Sequence, residues 1–473
     1  MKKLYLPCLL CIALLACNTE LIIDQPSSDI AVVPYPKEIT ISGKGLVLTE
    51  KSSIQANDPT LQPLVHLFQQ ELRQLTGVAL DNTSNKKAAI LFEIDSSLGP
   101  DAYHLSIEEK VLLKGGSYQA LAMAKNTLLQ LVKQNEKGLI LPALIIKDEP
   151  DAAYRGLLID LARKWHSLAT VKQLIDLAAF YKVNYLHLHF TDYQSYTLPS
   201  KHYPKLATPS RHYSVEELRE KEAYSQLRGV TIIPEIDVPG HSSPFVKKYP
   251  EIFAIQDTVN NPYIINMGRE EVYQALDLLI GEVLSIFTAT PYFHIGGDEA
   301  YFAKVLEDSD VQAYMAEHQL GEIHELYRHF LIRMNTIVKK HGKQMCVWEG
   351  FSRQGNISIP KDILVFEFET NKYLPNDLVE DGYTVVNTSW KPLYVVNQKK
   401  WSPKTIYNWN IWRWENWWDR VPSFTPIQLK PSPKIIGAEM CAWEQPDSVE
   451  IPSIRKRLPS MMERIWNLSL IHI

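Results

Sequence analysis

The stretch FHIGGDE, residues 293–299, runs from an apolar strand pattern into two glycines and then two adjacent carboxylic acids. Neighbouring residues of a regular strand point to opposite faces, so both acids can face one substrate only where the backbone leaves strand geometry. Gly296 and Gly297 permit this, because glycine adopts backbone conformations that other residues avoid. The pattern therefore predicts a strand that ends in a turn presenting Asp298 and Glu299 together.

Strand-like and helix-like runs alternate on both sides of this stretch, from residue 154 onward. The predicted strands are residues 156–161, 185–190, 230–236, 292–295, 344–347, 363–368, 384–387 and 435–442. The longer predicted helices are residues 170–181, 215–227, 270–287 and 322–341. Five of the strand runs are almost continuously apolar, as suits parallel strands buried on both faces. Eight such strands predict an α/β fold, a (β/α)8 TIM barrel.

Functional residue types follow the predicted strands. Asp192, Asp237, Asp298, Glu299 and Trp348 each come after the C-terminal end of a strand. In TIM barrels this end carries the active site. We therefore expect the catalytic residues of this chain at that end.

A smaller region with a mixed pattern occupies residues 30–150. Its predicted strands are residues 46–49, 89–94, 103–107 and 110–114, and its predicted helices are residues 61–76 and 117–133. These runs predict a small α/β accessory domain, and it contains no cluster of catalytic residue types. The barrel takes residues 151–473. We expect it to be truncated at its C-terminus, because residues 468–473 do not continue the preceding pattern.

The first residues have the pattern of an exported lipoprotein. Two lysines precede an apolar stretch over residues 4–16, which is short for a bilayer span and typical of a signal peptide. It ends in LLAC at residues 14–17, which resembles a bacterial lipobox. We expect residues 1–17 to be the signal, Cys17 to carry the lipid and residues 18–29 to form a tether. The protein would then be anchored to the bacterial outer membrane, on its periplasmic or cell-surface face. A plain cleaved signal with an incidental cysteine is the alternative.

Composition limits the partners and cofactors. The formal net charge is −5, charged residues make up 22% of the chain, and no long basic run is present. Nucleic acid is not an expected partner, because phosphate binding needs a concentrated cationic face. Cys346 and Cys441 lie in apolar segments without metal-ligand spacing, so they are expected to be buried hydrophobic residues. We expect no metal, no cofactor, and membrane contact only through the lipid anchor.

The pair Asp298 and Glu299 has the composition of an acid–base centre. Two carboxyl groups this close do not ionise independently, and one is expected to keep its proton near neutral pH, as a general acid must. A surface turn rich in charged residues would have the same composition, so the pair alone leaves both interpretations open.

The heptapeptide at residues 293–299 resembles the active-site motif of glycoside hydrolase family 20, the β-N-acetylhexosaminidases, and the similarity continues along most of the chain. The resemblance implies an exo-acting enzyme that hydrolyses terminal, non-reducing β-linked N-acetylglucosamine or N-acetylgalactosamine from glycans. In this family the substrate's own acetamido oxygen is the nucleophile. By resemblance, Glu299 is the general acid and then the base, while Asp298 holds the acetamido N–H and stabilises the cationic intermediate.

The first-strand segment, YRGLLIDLAR at residues 154–163, also resembles the family. By that resemblance Arg155 forks onto adjacent hydroxyls of the sugar, a use that suits the planar guanidinium group. Pairing of Arg155 with a structural carboxylate is the alternative.

The segments HLHFTDYQ at residues 187–194 and IPEIDVPGH at residues 233–241 resemble the second-strand and third-strand motifs. They imply that Asp192 and His241 form a pair that supports Glu299 and tunes its proton affinity. The two alternating histidines of the first segment would suggest a metal, but no third ligand stands nearby and core histidines are commoner.

Aromatic residues fall where the family places the walls of its sugar pocket, because a pyranose ring has an apolar face. By resemblance these are Trp348, Trp409 and Trp443, each with ordinary core packing as the alternative. Tyr394 falls where a family tyrosine holds the acetamido carbonyl. Residues 409–418 hold five of the chain's 11 tryptophans and form either a packed loop over the barrel rim or an outer subsite wall.

Four positions depart from the family pattern. Val396 and Gln445 stand where many relatives have carboxylates, Tyr193 replaces another acid, and Phe368 replaces a tryptophan. Gln445 is expected to contact the far side of the sugar, where the pocket would be less anionic. Replacement acids from neighbouring loops, with plain N-acetylglucosamine as the substrate, are expected, and a pocket that tolerates a 6-sulfate is the alternative.

Two other functions compete with this interpretation. One is a non-catalytic glycan-binding lipoprotein on a degenerate barrel, which would keep the tryptophans and lose the acids. The other is a retaining glycosidase with a protein nucleophile, for which Glu349 or Glu439 would be the second carboxylate.

Overall fold

The computed structural model describes residues 22–24, 30–80, 88–416 and 425–469. The expected signal with Cys17, most of the expected tether, and Trp417 and Trp418 lie outside the described residues. None of the described helices combines the length and the apolar character that a membrane crossing requires.

Eight parallel strands form the predicted barrel. Their bounds are Tyr154–Asp160, Tyr185–His189, Thr231–Glu235, Tyr292–His294, Gln344–Trp348, Leu364–Glu367, Thr384–Asn387 and Ile435–Trp443. Each strand pairs with the next in sequence, and the last pairs with the first, with Arg155 opposite Ala438. This closes the sheet, and the predicted TIM barrel is confirmed.

Helices cover the outside of the barrel. Their bounds are Leu168–Phe180, Val215–Leu227, Ser243–Lys248, Pro250–Phe253, Glu270–Leu284, Ser309–Glu317, Ile323–Lys340, Pro375–Glu380, Trp390–Leu393, Pro403–Tyr407, Asp447–Arg455 and Leu458–Trp466. The helix Val215–Leu227 begins with a capping box, in which Ser214 and Glu217 satisfy each other's backbone N–H groups. The fifth and sixth strands are joined by residues 349–363 without a helix.

Short elements decorate the loops at the barrel rim. The strands are Thr191–Asp192, Ser195–Tyr196, Tyr394–Val396, Lys399–Lys400, Arg413–Trp414 and Ile427–Gln428, and the 3-10 helix is Val305–Glu307. The strand Tyr394–Val396 pairs in parallel with the end of the eighth barrel strand, which places Tyr394 opposite Cys441 and Val396 opposite Trp443.

Two sheets and two helices form the domain that precedes the barrel. The six-stranded sheet contains Glu38–Ile41, Ile54–Ala56, Ile90–Ile94, Tyr103–Ile107, Val111–Gly115 and Leu144–Asp148. The four-stranded sheet contains Ile22–Asp24, Lys44–Leu48, Lys133–Asn135 and Gly138–Leu141. The helices are Gln62–Thr76 and Tyr118–Leu131, with a 3-10 turn at Pro59–Leu61. This is the predicted α/β domain, with more short strands than the sequence indicated.

A buried polar cluster joins this domain to the barrel. The Trp466 Nε1–H donates to Asp148 Oδ1 at 2.9 Å, and Asp148 Oδ2 accepts from the Tyr103 hydroxyl at 2.5 Å. The Lys182 ammonium lies 3.4 Å from the same carboxylate and 4.5 Å from the Trp466 ring centre. All four side chains are buried, so each polar group depends on the others for a partner.

Arg155 belongs to this cluster, which corrects the expectation that it binds the sugar. It lies near the N-terminal end of the first barrel strand, away from the end where loops carry functional residues, and it is fully buried. Its guanidinium donates to the carbonyl oxygens of Ala152 at 2.8 Å and Lys182 at 3.1 Å, and lies 5.4 Å from the Trp466 ring centre. No carboxylate is among these partners, so the alternative of pairing with a structural carboxylate is also not what the structure shows; Arg155 has a structural role through backbone carbonyls.

Candidate active site

The turn after the fourth strand presents both acids at the C-terminal end of the barrel. Gly296 and Gly297 have φ values of 68° and 95°, and Glu299 itself has a φ of 47°. A Cβ atom on Gly296 would lie 1.8 Å from Asp237 Oδ1, so only glycine fits there. The turn brings both carboxylates to one imidazole: His241 Nε2 lies 3.9 Å from Asp298 Oδ2 and 3.4 Å from Glu299 Oε2.

Asp192 supports this imidazole from behind. Its Oδ1 lies 3.2 Å from His241 Nδ1, and its Oδ2 lies 2.6 Å from Arg163 Nη2. The Tyr193 ring stacks on the His241 ring, with centroids 4.5 Å apart and planes at 17°. Asp192, His241 and Glu299 therefore form the connected chain that the sequence implied, with Arg163 as an additional member.

The two carboxyl groups have opposite pKa shifts. Burial raises the pKa of Asp298 to about 7. The neighbouring His241 lowers the pKa of Glu299 below its usual range, and the Glu299 side chain is 48% exposed against 16% for Asp298. Burial alone would lower the pKa of His241, but the neighbouring Asp237, Asp192 and Glu299 outweigh it and raise that pKa well above the ordinary value, which favours the cationic imidazole.

We expected one of the two acids to keep its proton near neutral pH. The raised pKa identifies that acid as Asp298 and not as Glu299, the proposed general acid. The physical reason is exposure, since Glu299 faces solvent and the cationic His241 while Asp298 is enclosed.

Aromatic rings form a wall beside Asp298. Trp348 lies 5.8 Å from Trp443 and 5.9 Å from Phe368, between ring centroids. Tyr394 lies 6.2 Å from both Phe368 and Trp443, and Trp390 stacks on it at 4.6 Å. The structure therefore brings together Trp348, Trp443 and Tyr394 as the sequence implied.

Trp409 does not join this wall. Its Nε1–H donates to the Arg413 carbonyl at 2.7 Å, and its own carbonyl accepts from Arg464 at 2.8 Å. The ring lies in the apolar layer outside the barrel, a different cluster from the one containing Trp348 and Tyr394. The expectation that Trp409 lines the sugar pocket is corrected, and its packing matches the packed-loop interpretation of this stretch.

Gln445 lies two residues after the end of the eighth strand and is buried. Its Nε2–H donates to the Trp443 carbonyl at 3.2 Å, while its Oε1 has no partner among the described residues. Val396 pairs with Trp443 through the backbone, so both departures from the family pattern flank the same tryptophan. The neighbouring Glu444 carboxylate lies 3.9 Å from Arg163 Nε.

The barrel interior below the site holds a second cluster of ionisable groups. Glu235 is fully buried and lies within 3.3 Å of His187, His189 and His294. Within the described residues, three sets of potential metal ligands have their ligand atoms within 4.8 Å of one another, and one of these sets is His187, Glu235 and His294. Their nitrogen and carboxylate atoms already contact each other, so hydrogen bonding accounts for the cluster.

The two carboxylates considered as protein nucleophiles are held inside the fold. Glu439 accepts from the Tyr154 hydroxyl at 2.6 Å and lies 3.0 Å from His187 Nδ1. Glu349 Oε1 accepts from the backbone N–H groups of Lys372 at 2.6 Å and Tyr373 at 2.7 Å. Both are buried, so neither presents a free carboxylate beside Glu299.

Three residues at the site were not singled out from the sequence. Arg163 follows the C-terminal end of the first strand, the same signal that identifies Asp192, and it pairs with Asp192. Trp390 stacks on Tyr394. Glu369 is half-buried, and burial together with the charge of nearby Glu299 raises its pKa.

The chain belongs to glycosyl hydrolase family 20. It matches the catalytic domain of that family over residues 153–468 and domain 2 of the family over residues 29–149.

Two curated β-hexosaminidases and one solved structure illustrate what this chain is similar to. A β-hexosaminidase of Vibrio furnissii is 30% identical over 76% of this chain and 64% of its own length. A β-hexosaminidase of Porphyromonas gingivalis is 28% identical over 74% of this chain and 50% of its own. The crystal structure of a family 20 exo-β-N-acetylglucosaminidase from Vibrio harveyi, in complex with N-acetylglucosamine, aligns with a TM-score of 0.80 at 27% identity. That alignment covers 96% of this chain and 76% of the other. The chain thus spans about half to two thirds of the two β-hexosaminidases.

Proposed function

We propose that this chain is an exo-acting β-N-acetylhexosaminidase that releases terminal β-linked N-acetylglucosamine or N-acetylgalactosamine from glycans. The observation that carries the proposal is the placement of adjacent Asp298 and Glu299 on one imidazole beside an aromatic wall. The two candidate protein nucleophiles, Glu439 and Glu349, are committed to internal partners, which supports a nucleophile supplied by the substrate.

The two acids divide the reaction between them. Glu299, at the exposed mouth, gives its proton to the glycosidic oxygen as the C1–O bond breaks. The acetamido oxygen attacks C1 and forms a cyclic oxazolinium ion, whose charge and N–H face the Asp298 carboxylate. Glu299 then removes a proton from water as the water attacks C1 and opens the ring. Two inversions leave the sugar with its original configuration.

Substrate binding shifts the proton from Asp298 to Glu299. A sugar seated over Glu299 excludes water from its carboxyl group, which raises the pKa of that acid. The acetamido N–H donates to Asp298, which favours the ionised form and lowers a pKa that stands at about 7 without substrate. Both changes move the proton to the acid that must donate it.

The remaining side chains position the sugar. Trp348 and Trp443 face the apolar side of the pyranose, and the Tyr394 hydroxyl donates to the acetamido carbonyl. We assign to Arg163 the role expected of Arg155: its guanidinium lies 5.0 Å from the Trp443 ring and is 16% exposed, so it can reach sugar hydroxyls. Gln445 is buried two residues after Trp443 and donates to the Trp443 carbonyl, so we assign it the support of this wall on the far side of the sugar.

A panel of 4-nitrophenyl β-glycosides tests the reaction. We expect turnover of the N-acetylglucosaminide and N-acetylgalactosaminide and none of the glucoside, which has no acetamido nucleophile. A thiazoline mimic of the intermediate should inhibit tightly, because it matches the proposed transition state. Equal cleavage of the glucoside would support a protein nucleophile, and binding of the mimic without turnover would support a glycan-binding protein.

We also propose that the protein is exported and anchored by lipid at Cys17, which becomes the first residue once the preceding signal is removed, with residues 18–29 as the tether. The LLAC sequence supports this proposal. Metabolic labelling with palmitate, compared between the wild type and Cys17→Ala, tests it. Label and membrane-fraction activity should both disappear in the variant, and equal labelling of the two proteins would refute the anchor.

A further inference from the structure

Glu235, at the end of the third strand, is a carboxylate with two different tasks for its two oxygen atoms. Oε1 accepts from the Trp348 Nε1–H at 2.7 Å. Oε2 lies 2.7 Å from His189 Nδ1 and 3.1 Å from His187 Nε2. The side chain is fully buried, so no water replaces any of these partners.

The Oε1 contact leads to the proposed sugar pocket. The Trp348 ring packs against Trp443 and Phe368, and its indole N–H has Glu235 as its acceptor. Because an indole has a single donor, this bond fixes the rotation of the ring in its plane. The orientation of the aromatic wall therefore depends on Glu235.

The Oε2 contact leads to the proposed general acid. His189 Nε2 lies 2.9 Å from Asp192 Oδ2, and Asp192 Oδ1 lies 3.2 Å from His241 Nδ1. His241 in turn lies 3.4 Å from Glu299. Because carboxylates face both nitrogens of His189, this imidazole holds two protons and donates at each end.

We propose that Glu235 is a positioning residue that couples the orientation of the sugar-binding tryptophan to the orientation of the general acid. The inference rests on the proposed function. Glu235 touches neither substrate nor reacting atoms, and acts through Trp348 on one side and through His189 and Asp192 on the other.

A neutral amide cannot do both tasks. Glutamine has one acceptor oxygen, and its NH2 group would face either the Trp348 N–H or the His189 N–H, donor against donor. Glu235→Gln therefore loses one of the two contacts whichever way the amide turns. Glu439→Gln is the matched control, because Glu439 is equally buried in the same interior and contacts His187 and Tyr154 but neither Trp348 nor Asp192.

The test compares two aryl N-acetylglucosaminides, one with 2,4-dinitrophenol and one with 4-methoxyphenol as the leaving group. The first needs little help from an acid, whereas the second depends on it. For Glu235→Gln we expect KM to rise. We also expect kcat/KM for the methoxyphenyl substrate to fall about ten-fold more than kcat/KM for the dinitrophenyl substrate. This is less than the loss expected on removal of the general acid itself, which contributes roughly 10²–10⁴-fold. Glu439→Gln should keep the wild-type ratio of the two activities.

An unchanged ratio in folded Glu235→Gln, or the same change in both variants, would overturn the coupling. If Glu235→Gln does not fold, Trp348→Phe and His189→Gln replace it, since each removes one contact and leaves the carboxylate. The first should raise KM at a constant ratio and the second should change the ratio; identical effects from the two overturn the inference. A wild-type chain inactive on both substrates refutes the proposed function itself, whereas an active wild type with unaffected variants refutes only the role of Glu235.

Discussion

Replacement of His241 by asparagine should move the whole pH profile of kcat/KM to higher pH. The His241 imidazole is cationic because Asp237, Asp192 and Glu299 surround it. A cation stabilises the ionised forms of both nearby acids, so it lowers the pKa of Glu299 and keeps that of Asp298 from rising further. Its removal raises both values, and both limbs of a bell-shaped profile move in the same direction.

The size of the shift follows from two distances. The imidazole Nε2 lies 3.4 Å from the Glu299 carboxylate and 3.9 Å from that of Asp298. At about 4 Å, opposite unit charges attract by about 1 kcal/mol in water and about 4 kcal/mol at the effective dielectric of a protein surface. With about 1.4 kcal/mol for each pKa unit, each limb should move upward by about one to three units.

The assay is kcat/KM for 4-nitrophenyl N-acetylglucosaminide across the pH range, with thermal unfolding as a check that the variant is folded. Tyr193→Phe serves as the control, because it keeps the ring that stacks on His241 at 4.5 Å and should leave both limbs in place. A folded His241→Asn enzyme with lower activity but unmoved limbs would show that this imidazole carries no charge in the working site.

Four other substitutions separate chemical from structural roles. Glu299→Gln should nearly abolish hydrolysis of poor leaving groups and spare activated aryl glycosides, so equal losses in kcat/KM for both would contradict its role as the acid. Asp298→Asn should reduce kcat by roughly 10²–10³ and change KM less, measured by initial rates, because the charge it stabilises develops in the transition state. Arg155→Met should lower the melting temperature, since the buried Ala152 and Lys182 carbonyls lose their donors, yet leave kcat/KM near the wild-type value. Gln445→Glu should lower the specificity constant for a 6-sulfated substrate only, by charge repulsion; a wild type that discriminates ten-fold or more against the sulfated sugar would already contradict a sulfate-tolerant pocket.

The barrel could be predicted from the sequence because its strands are buried on both faces. Runs such as GLLIDL and IIGAEMCA are almost continuously apolar, which is not the pattern of an amphipathic helix. They are followed by Arg163 and Trp443, which lie at the rim of the proposed active site. The shortest strands of the first domain could not be predicted from the sequence. Ile54–Ala56 and Lys133–Asn135 have three residues each, too few to show an alternation, and only pairing with neighbouring strands makes them extended.

Errors at the site arose where sequence position does not fix the direction of a side chain. Arg155 and Arg163 lie at opposite ends of one strand and its following turn, and only the second reaches the carboxylates. Trp390 and Trp409 lie in the same long connection between the seventh and eighth barrel strands, and the packing of that connection decides which ring meets Tyr394. The contacts of Glu235 with Trp348 and, through His189, with Asp192 could not be predicted from the sequence either, because they join residues of three separate barrel strands and the loops that follow them.

The contact between Trp466 and Asp148 also constrains how the chain is made. These residues lie 318 positions apart, and Asp148 belongs to a domain that leaves the ribosome long before the helix carrying Trp466. Throughout that interval the nascent chain holds a carboxylate, an ammonium and a guanidinium without the indole that later covers them. The first domain can therefore become compact early during translation, but its docking surface is sealed only after the last barrel strand has been synthesised.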